Sequence, residues 1–291
     1  MKSEFNEKSF ETAINNELQP VFSPGQVAEK ILGFDATANP GPTHKVWAYL
    51  GIHSPQGIIL TPSNWSNQKR QPTKEQLGVN GIGITSLILQ YKRSDYLNNR
   101  NSKQASYWNK PYYRFEIEEN QQEVLENLEI SLTGYAAVRY AAPCFHLAKD
   151  LYNYSINQKC LENTGFVKPS NLLNHKYWTY TDPGTSGYAN PFVEAENIRF
   201  DNIHDLSNQL NELPNGDLEE ILHVTSDSFQ RIIFNPHTQL NEPNFSHLWI
   251  QELLLKDFPE EFNEKQTMLQ DLKTCLYLSK LLGFDWKIVI K

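Results

Sequence analysis

Cysteine and long apolar runs are both scarce in this chain. Only three of its 291 residues are cysteine, and they are scattered, so there is no disulfide framework and a reducing compartment fits best. No stretch approaches the ~18 consecutive apolar residues that a transmembrane helix needs. The first residues, MKSEFNEKSFETAI, lack the apolar core of a secretory signal. We therefore expect a cytoplasmic protein that does not enter a membrane.

Positive charge is also in short supply. Lys and Arg number 26 against 34 Asp and Glu, which gives a formal net charge of −8. Nucleic-acid-binding proteins usually carry a basic surface, because phosphate contacts supply much of the affinity. This chain would therefore bind nucleic acid through a local basic strip, a metal ion or a partner subunit. Its hydrophobic content of 39% and aromatic content of 12% are typical of a globular protein.

The apolar spacing predicts a mixed α/β first part. Phe10, Ile14 and Leu18 recur every four residues, which predicts a helix over residues 4–18. Ser23 and Pro24 mark the start of a second, short helix that ends at Leu32, before Gly33. Further strands are predicted at 84–92, 112–117, 134–143 and 175–184, with helices at 121–130 and 145–154.

From residue 200 onward the pattern becomes mainly helical. Helical spacing recurs at 203–210, 218–229 and 269–282, and a strand follows at 286–290. We therefore divide the chain into an α/β domain, residues 1–195 with an irregular insert at about 36–83, and a mainly helical region, 196–291. Residues 182–191, DPGTSGYANP, contain two glycines but lack the lysine of a phosphate-binding loop. We interpret them as a surface loop.

One predicted strand carries a chemical signal. Side chains alternate along a strand, so Gln90 and Lys92 share a face. A lysine on a core strand needs a carboxylate partner, because an unpaired buried charge is costly. Glu29 and Asp35 lie upstream on either side of a glycine turn and are positioned to approach the same point. Two acids, an amide oxygen and a lysine form the kind of site that Mg²⁺ prefers.

Such a metal site has a defined chemistry and several alternatives. The ion polarises a phosphoryl oxygen and activates a water molecule, and Lys92 orients that water or stabilises the developing charge. The alternative for Gln90 and Lys92 is the polar end of an edge strand that reaches solvent. For Glu29 it is a solvated helix residue, and for Asp35 a turn or cap residue.

The segment PGQVAEKILGFDA has a Glu on a predicted helix followed by an Asp on a predicted strand, and LILQYK has Gln-x-Lys on a later strand. This order of motifs resembles the PD-(D/E)XK restriction-endonuclease-like nucleases. In branches similar to the Mrr-type restriction enzymes, Gln replaces the last acid. The pattern also looks like a bacterial group associated with phage defence, in which segments similar to YYRFEI and RYAAP follow. The resemblance covers roughly residues 10–190.

The resemblance implies a restriction-endonuclease-like mixed central sheet flanked by helices. It also implies a nuclease that uses Mg²⁺ or Mn²⁺, held by Asp35, Gln90 and Glu29 and assisted by Lys92, with DNA favoured over RNA as substrate. Two features depart from the family pattern. Asp35 and Gln90 are 55 positions apart in the sequence, which is longer than the usual hairpin, and an amide ligand carries no charge. Glu75 is the other acid that this interval offers.

Four cations are candidates for contact with phosphates. Lys69, Arg70 and Lys74 form the densest basic cluster, with Trp65 nearby to stack on a base, and Arg93 follows Lys92. The alternatives are a solvated polar loop for the cluster and a surface salt bridge for Arg93.

Two other functions stay open. The chain could be a non-catalytic nucleic-acid-binding or sensor subunit that acts through its C-terminal helices, or an unrelated α/β protein. These helices are the expected contact with a partner protein or a second copy of the chain. A zinc site is not favoured, because the spacing of Cys144, His146, Cys160 and His175 matches no usual closed zinc site.

Overall fold

The computed structural model describes residues 1–18, 84–99, 101–102, 104–190 and 196–234, and, near the C terminus, 271–272, 274–276, 278–279 and 281–290. The predicted helix Ser23–Leu32, the insert at 36–83 and the residues Glu29, Asp35, Lys69, Arg70 and Lys74 lie outside these residues.

The described residues form helices and strands in mixed order. The helices are α1 (Glu7–Glu17), α2 (Glu119–Ser131), α3 (Ala148–Ile156), α4 (Ile203–Glu212) and α5 (Leu218–Ile233). The strands are β1 (Ile84–Tyr91), β2 (Asp95–Leu97), β3 (Tyr112–Glu116), β4 (Ala136–Pro143), β5 (Thr164–Val167), β6 (Tyr177–Tyr180), β7 (Ser186–Asn190), β8 (Glu196–Arg199) and β9 (Asp285–Ile290).

The strands form two sheets. One has the order β5-β4-β1-β9, and the other has the order β2-β3-β6-β7-β8 with antiparallel pairing throughout. The prediction of a mixed α/β fold is therefore confirmed. The finer prediction, a restriction-endonuclease-like arrangement of the central sheet, stays a prediction.

By its internal contacts the chain divides into two compact units, each built from separate stretches. The first comprises Met1–Leu18, Leu89–Glu129 and Val138–Glu212, and the second comprises Gln19–Ile88, Ile130–Ala137 and Leu213–Lys291. The predicted boundary at residue 195 falls next to residues 191–195, which lie outside the described residues. It stays a prediction.

In the first unit, α1 covers the end of β1. Asn6 caps the helix, since its side-chain oxygen accepts a hydrogen bond from the Ser9 amide at 2.7 Å. Phe10 and Ile14 are fully buried on one face, as their spacing predicted. The Phe10 ring meets the Tyr91 ring edge-on, with 5.8 Å between centroids. This contact fixes α1 against the side of β1 that Tyr91 occupies.

The prediction of a surface loop at 182–191 is wrong, because its last part forms β7, Ser186–Asn190. Gly184, with φ of +74°, lies in the turn that reverses the chain after β6. Gly187 lies against Trp178: a Cβ at this position would fall 2.3 Å from the indole ring. Close packing inside a strand therefore explains the glycine at position 187, whereas the sequence pattern was interpreted as a surface loop.

In the second unit, the helix predicted at 218–229 and the final strand are present. Asp217 caps α5, and α5 buries Leu222 and Phe229. The described residues between 271 and 281 are helical, and Gly283 follows them with φ of +78°, as expected for a residue that ends a helix. In β9, the Trp286 indole donates a hydrogen bond to the Ser86 hydroxyl at 3.1 Å.

Candidate functional site

Gln90 and Lys92 lie at the end of an interior strand. β1 lies between β4 and β9 in its sheet, and the Lys92 amide donates to the Ala141 carbonyl at 2.9 Å, so pairing continues one residue past β1. Gln90 is 4% exposed and Lys92 is 5% exposed. The alternative of an edge strand with a solvated polar end is therefore wrong.

The ammonium group of Lys92 has a carboxylate partner, as the sequence required. Its Nζ lies 3.5 Å from Oε1 of Glu118, which immediately precedes α2. It also lies 5.8 Å from the centroid of the Tyr140 ring, on β4, within the range of a cation–π contact. The expected partners Glu29 and Asp35 lie outside the described residues, so their distance to Lys92 stays untested.

The aromatic ring of Tyr140, which lies near this ammonium group, is held in a fixed orientation. The ring is fully buried, and its hydroxyl donates to Oε1 of Gln122 at 2.8 Å. The Gln122 amide nitrogen donates in turn to the Pro169 carbonyl at 2.8 Å. Burial is the main cause that raises the pKa of Tyr140, with Glu126 and Glu118 adding to it. The phenol is therefore neutral under ordinary conditions and its ring orientation is fixed.

A second carboxylate, that of Glu7, approaches from the first turn of α1. It accepts a hydrogen bond from the backbone amide of Arg93 and is attracted electrostatically by Lys92. Loss of solvent raises the pKa of Glu7, and Lys92 and the Arg93 amide oppose this rise. Glu7 and Glu118 lie at the N-terminal ends of two helices, where the partial positive charge of the backbone favours carboxylates.

Sequence reasoning missed both glutamates. An acid in the first turn of a capped helix is common, so nothing set Glu7 apart from ordinary helix chemistry. Glu118 is 26 positions from Lys92 in the chain, and no local pattern connects the two. The sequence did indicate that Lys92 needs a carboxylate partner, because it lies on a core strand. It did not indicate which carboxylate that is.

Gln90 has an unusual environment for a buried amide. Its Nε2 donates to the Tyr91 carbonyl at 3.1 Å, but its Oε1 is buried and has no hydrogen-bond partner among the described residues. Leaving a buried acceptor unpaired costs about 1–3 kcal/mol. A carbonyl oxygen of this kind is available to a cation or to a donor on a ligand. We call Glu7, Gln90, Lys92, Glu118 and Tyr140 the lysine site.

The other candidate residues divide into described and undescribed positions. Arg93 is exposed and so is open to a ligand. Lys69, Arg70, Lys74 and the stacking candidate Trp65 lie outside the described residues. Of the predicted catalytic set, the structure therefore describes Gln90 and Lys92 and adds Glu7, Glu118 and Tyr140 around them.

The described residues can be examined for side chains that would bind a metal ion. Within the described ranges, no group of three or more His, Cys, Asp or Glu side chains is arranged to hold a metal ion. The Gln90 carbonyl oxygen is, by kind, a ligand for a hard cation. The carboxylates Asp35 and Glu29, which the sequence predicts as metal ligands, lie outside the described residues.

The structure gives surroundings for two of the residues weighed as zinc ligands, His146 and Cys144. The His146 ring stacks on Tyr96 with 4.0 Å between centroids and 5° between planes. Burial raises the pKa of the Cys144 thiol well above its usual range. A buried thiol that resists ionisation is a poor metal ligand, because metals bind the thiolate.

No described helix is both long enough and apolar enough to cross a membrane. Comparison with known proteins finds no matching family model, no matching curated protein and no matching solved structure.

Proposed function

We propose that this chain is a metal-dependent nuclease that hydrolyses phosphodiester bonds, with DNA as the preferred substrate. The observation that carries the proposal is the pair Gln90 and Lys92: a buried carbonyl oxygen without a described partner, two residues from a buried lysine on the same strand. The resemblance of LILQYK and PGQVAEKILGFDA to PD-(D/E)XK nucleases supports the same reading. A role in bacterial defence against foreign DNA follows from that resemblance.

The residues of the chain have distinct roles in this proposal. Asp35, Glu29 and the Gln90 carbonyl would hold Mg²⁺ or Mn²⁺, which polarises the phosphoryl oxygen and provides an activated water molecule. The Lys92 ammonium donates a hydrogen bond to an oxygen of the phosphate that gains negative charge. Because this ammonium is largely shielded from water, its stabilising effect on the developing charge exceeds that of a solvated lysine.

Substrate attraction has to be local, because the chain carries a net charge of −8. The exposed Arg93 and the cluster Lys69, Arg70 and Lys74 contact the phosphate backbone in this proposal. The C-terminal helices contact a partner protein or a second copy of the chain, which controls or targets the activity in the cytoplasm.

A cleavage assay tests the function directly. Purified protein is mixed with plasmid DNA, single-stranded DNA and RNA, each with Mg²⁺, Mn²⁺ or EDTA. We expect metal-dependent cutting of DNA, and a fall of about 100-fold to 1,000-fold in Lys92→Met, as when one donor to a transition-state oxyanion is removed. Methionine keeps the buried stem but removes the charge. Asp35→Asn is expected to abolish metal-dependent cutting.

The matched control is Lys110→Met, since Lys110 lies on the surface of the same unit, with 59% of its side chain exposed beside Asp182. This variant should cut like the wild type. Cutting that survives in both Lys92→Met and Asp35→Asn contradicts the proposal. Retention of DNA without cutting, with every metal tried, favours the non-catalytic binding or sensor subunit.

A further inference from the structure

The ammonium group of Lys92 lies where a buried side chain reaches the surface. Its side chain is 7% exposed, whereas that of its partner Glu118 is 63% exposed. The stem of the lysine is therefore enclosed, while its charged end lies beside a solvated carboxylate. The ammonium group is therefore shielded from bulk water and lies next to a carboxylate that water reaches.

Two neighbours lie close to this ammonium group, and a third attracts it electrostatically. The Tyr140 ring lies on one side at 5.8 Å and is fixed through its hydroxyl by Gln122. Glu118 approaches to 3.5 Å. Glu7 attracts the ammonium and accepts the amide of the next residue, Arg93, which ties α1 to the backbone just beyond Lys92.

The carboxylates of Glu7 and Glu118 come from the starts of separate helices, and this affects how precisely the Lys92 ammonium is positioned. Packing encloses the stem of Lys92, but its ammonium group still has three rotatable donors whose directions depend on the neighbouring acceptors. The Glu118 carboxylate, just before α2, contacts the ammonium at 3.5 Å, and the Glu7 carboxylate on α1 adds an electrostatic attraction. One carboxylate is enough to avoid the cost of an unpaired buried ammonium, so folding stability alone does not require the second.

We propose that Glu7 and Glu118 are positioning residues that hold the Lys92 ammonium in place for the phosphodiester reaction. The proposal rests on the nuclease function above and deepens it. Neither glutamate needs to touch the substrate, because each acts through Lys92. Removing one carboxylate leaves the lysine present and charged, but free to move from its place beside the reacting phosphate.

The test compares Glu118→Gln, Glu7→Gln and the double variant with the full-length wild type. We expect kcat for DNA cleavage to fall about 10-fold to 100-fold in each single variant, since small misplacements of a reacting group have effects of this size. KM should stay within about twofold, because substrate binding depends on other cations. Glu118→Asp, which keeps the charge, should recover part of the lost kcat.

Glu119→Gln is the matched control, because Glu119 is the exposed neighbour of Glu118 and its loss removes the same charge one residue away. This variant should leave kcat unchanged. Thermal unfolding of each variant confirms that the protein is folded at the assay temperature. An equal fall in Glu119→Gln would mean that net charge matters and the contact with Lys92 does not, which overturns the proposal.

A second readout does not depend on catalysis. The rate at which Lys92 is acylated by a water-soluble amine-reactive ester is followed by peptide mass spectrometry, with Lys110 as an internal reference. A lysine released from its two carboxylates should be acylated several-fold faster in the double variant, with Lys110 unchanged. An unchanged rate at Lys92 would show that the glutamates do not hold it.

The two readouts separate the possible failures. If the wild type cuts no nucleic acid under any condition, the nuclease proposal fails and the positioning role fails with it. The acylation rates then still show whether the carboxylates restrain Lys92. If cutting becomes faster in Glu118→Gln, the ion pair restrains the lysine from acting, and the positioning role is overturned.

Discussion

Lys92 and Lys287 are both almost fully buried, yet they are paired in different ways. Lys287, 1% exposed, lies 2.6 Å from Asp285, two residues before it on the same strand and also buried. Lys92 is paired instead with Glu118, whose side chain at the start of α2 is 63% exposed, and is attracted by Glu7 on α1. A tight pair within one strand is what a structural charge requires, whereas an open arrangement leaves a charge available for chemistry.

The buried pair in β9 gives a prediction for stability. Lys287→Met removes the ammonium from its buried pair with Asp285, so we expect a loss of about 3–5 kcal/mol in the free energy of unfolding. Arg231→Met removes a partner from an ion pair with Asp227 in which both side chains are largely exposed, and should cost about 0–1 kcal/mol. Urea unfolding of both variants measures the difference.

The double variant Asp285→Leu with Lys287→Met completes this experiment. Replacing both members of a buried ion pair with apolar groups is often neutral, so most of the lost stability should return. Equal losses in Lys287→Met and Arg231→Met would show that burial of the Lys287 charge has no special cost in this protein.

Elements with a long apolar pattern were predictable from the sequence, whereas several of the short strands were not. The helices α1, α2 and α5 and the strands β1 and β4 follow their predicted spans closely. The strands β2, β5 and β8 have three or four residues each. This length is too short for a period of two to stand out, and pairing with neighbouring strands decides their structure.

Glycines inside strands were a second reason why strands were missed in the sequence, as β5 shows. Gly165 lies in β5, and a Cβ at this position would fall 1.6 Å from a ring carbon of Phe200. The Phe200 ring is fully buried and packs on Tyr180 at 4.8 Å between centroids. The sequence cannot show that an aromatic ring occupies this space, because Phe200 follows 35 positions later.

Gly165→Ala should therefore destabilise the first unit. Overpacking a tight core costs typically about 1–3 kcal/mol, and the buried Phe200 ring has little space into which to move. Thermal unfolding should show a lower midpoint than in the wild type. Combining Gly165→Ala with Phe200→Leu should recover part of the loss, because the smaller side chain leaves room for the new methyl group.

Gly134→Ala is the control for this prediction. Gly134 has φ of +84° but no atom within 4 Å of the added Cβ, so its cost comes from backbone strain alone. Phe200→Leu should not rescue this variant. A rescue of both variants, or of neither, would show that the contact between Gly165 and Phe200 does not explain the loss.

For the whole molecule, the net charge can be read from the sequence, but the ion pairs between distant residues cannot. It placed Gln90 and Lys92 on one face and required a carboxylate nearby, which is half of the lysine site. The other half comes from Glu7 and Glu118, which the fold of the first unit brings to Lys92. Such contacts depend on tertiary packing and leave no local pattern in the sequence.

The net charge of −8 also limits how the chain can hold DNA. If attraction comes from Lys69, Arg70, Lys74 and Arg93 alone, about four phosphates are neutralised. The logarithm of the binding constant should then fall against the logarithm of salt concentration with a slope of about −3.6, since each phosphate contributes about −0.9. A protein with a broad basic face would give a steeper slope.

Fluorescence anisotropy with a labelled DNA duplex measures this slope, in the background of Lys92→Met so that the DNA is not cut. Arg93→Gln should make the slope shallower by about 0.9, and replacing Lys69, Arg70 and Lys74 together with glutamine by about 2.7. Arg231→Gln, a change to an exposed arginine of the C-terminal region, should leave it unchanged. An unchanged slope after all four substitutions would place the DNA contact elsewhere, and the C-terminal helices would then be the next surface to test, because they are the expected site of partner contact.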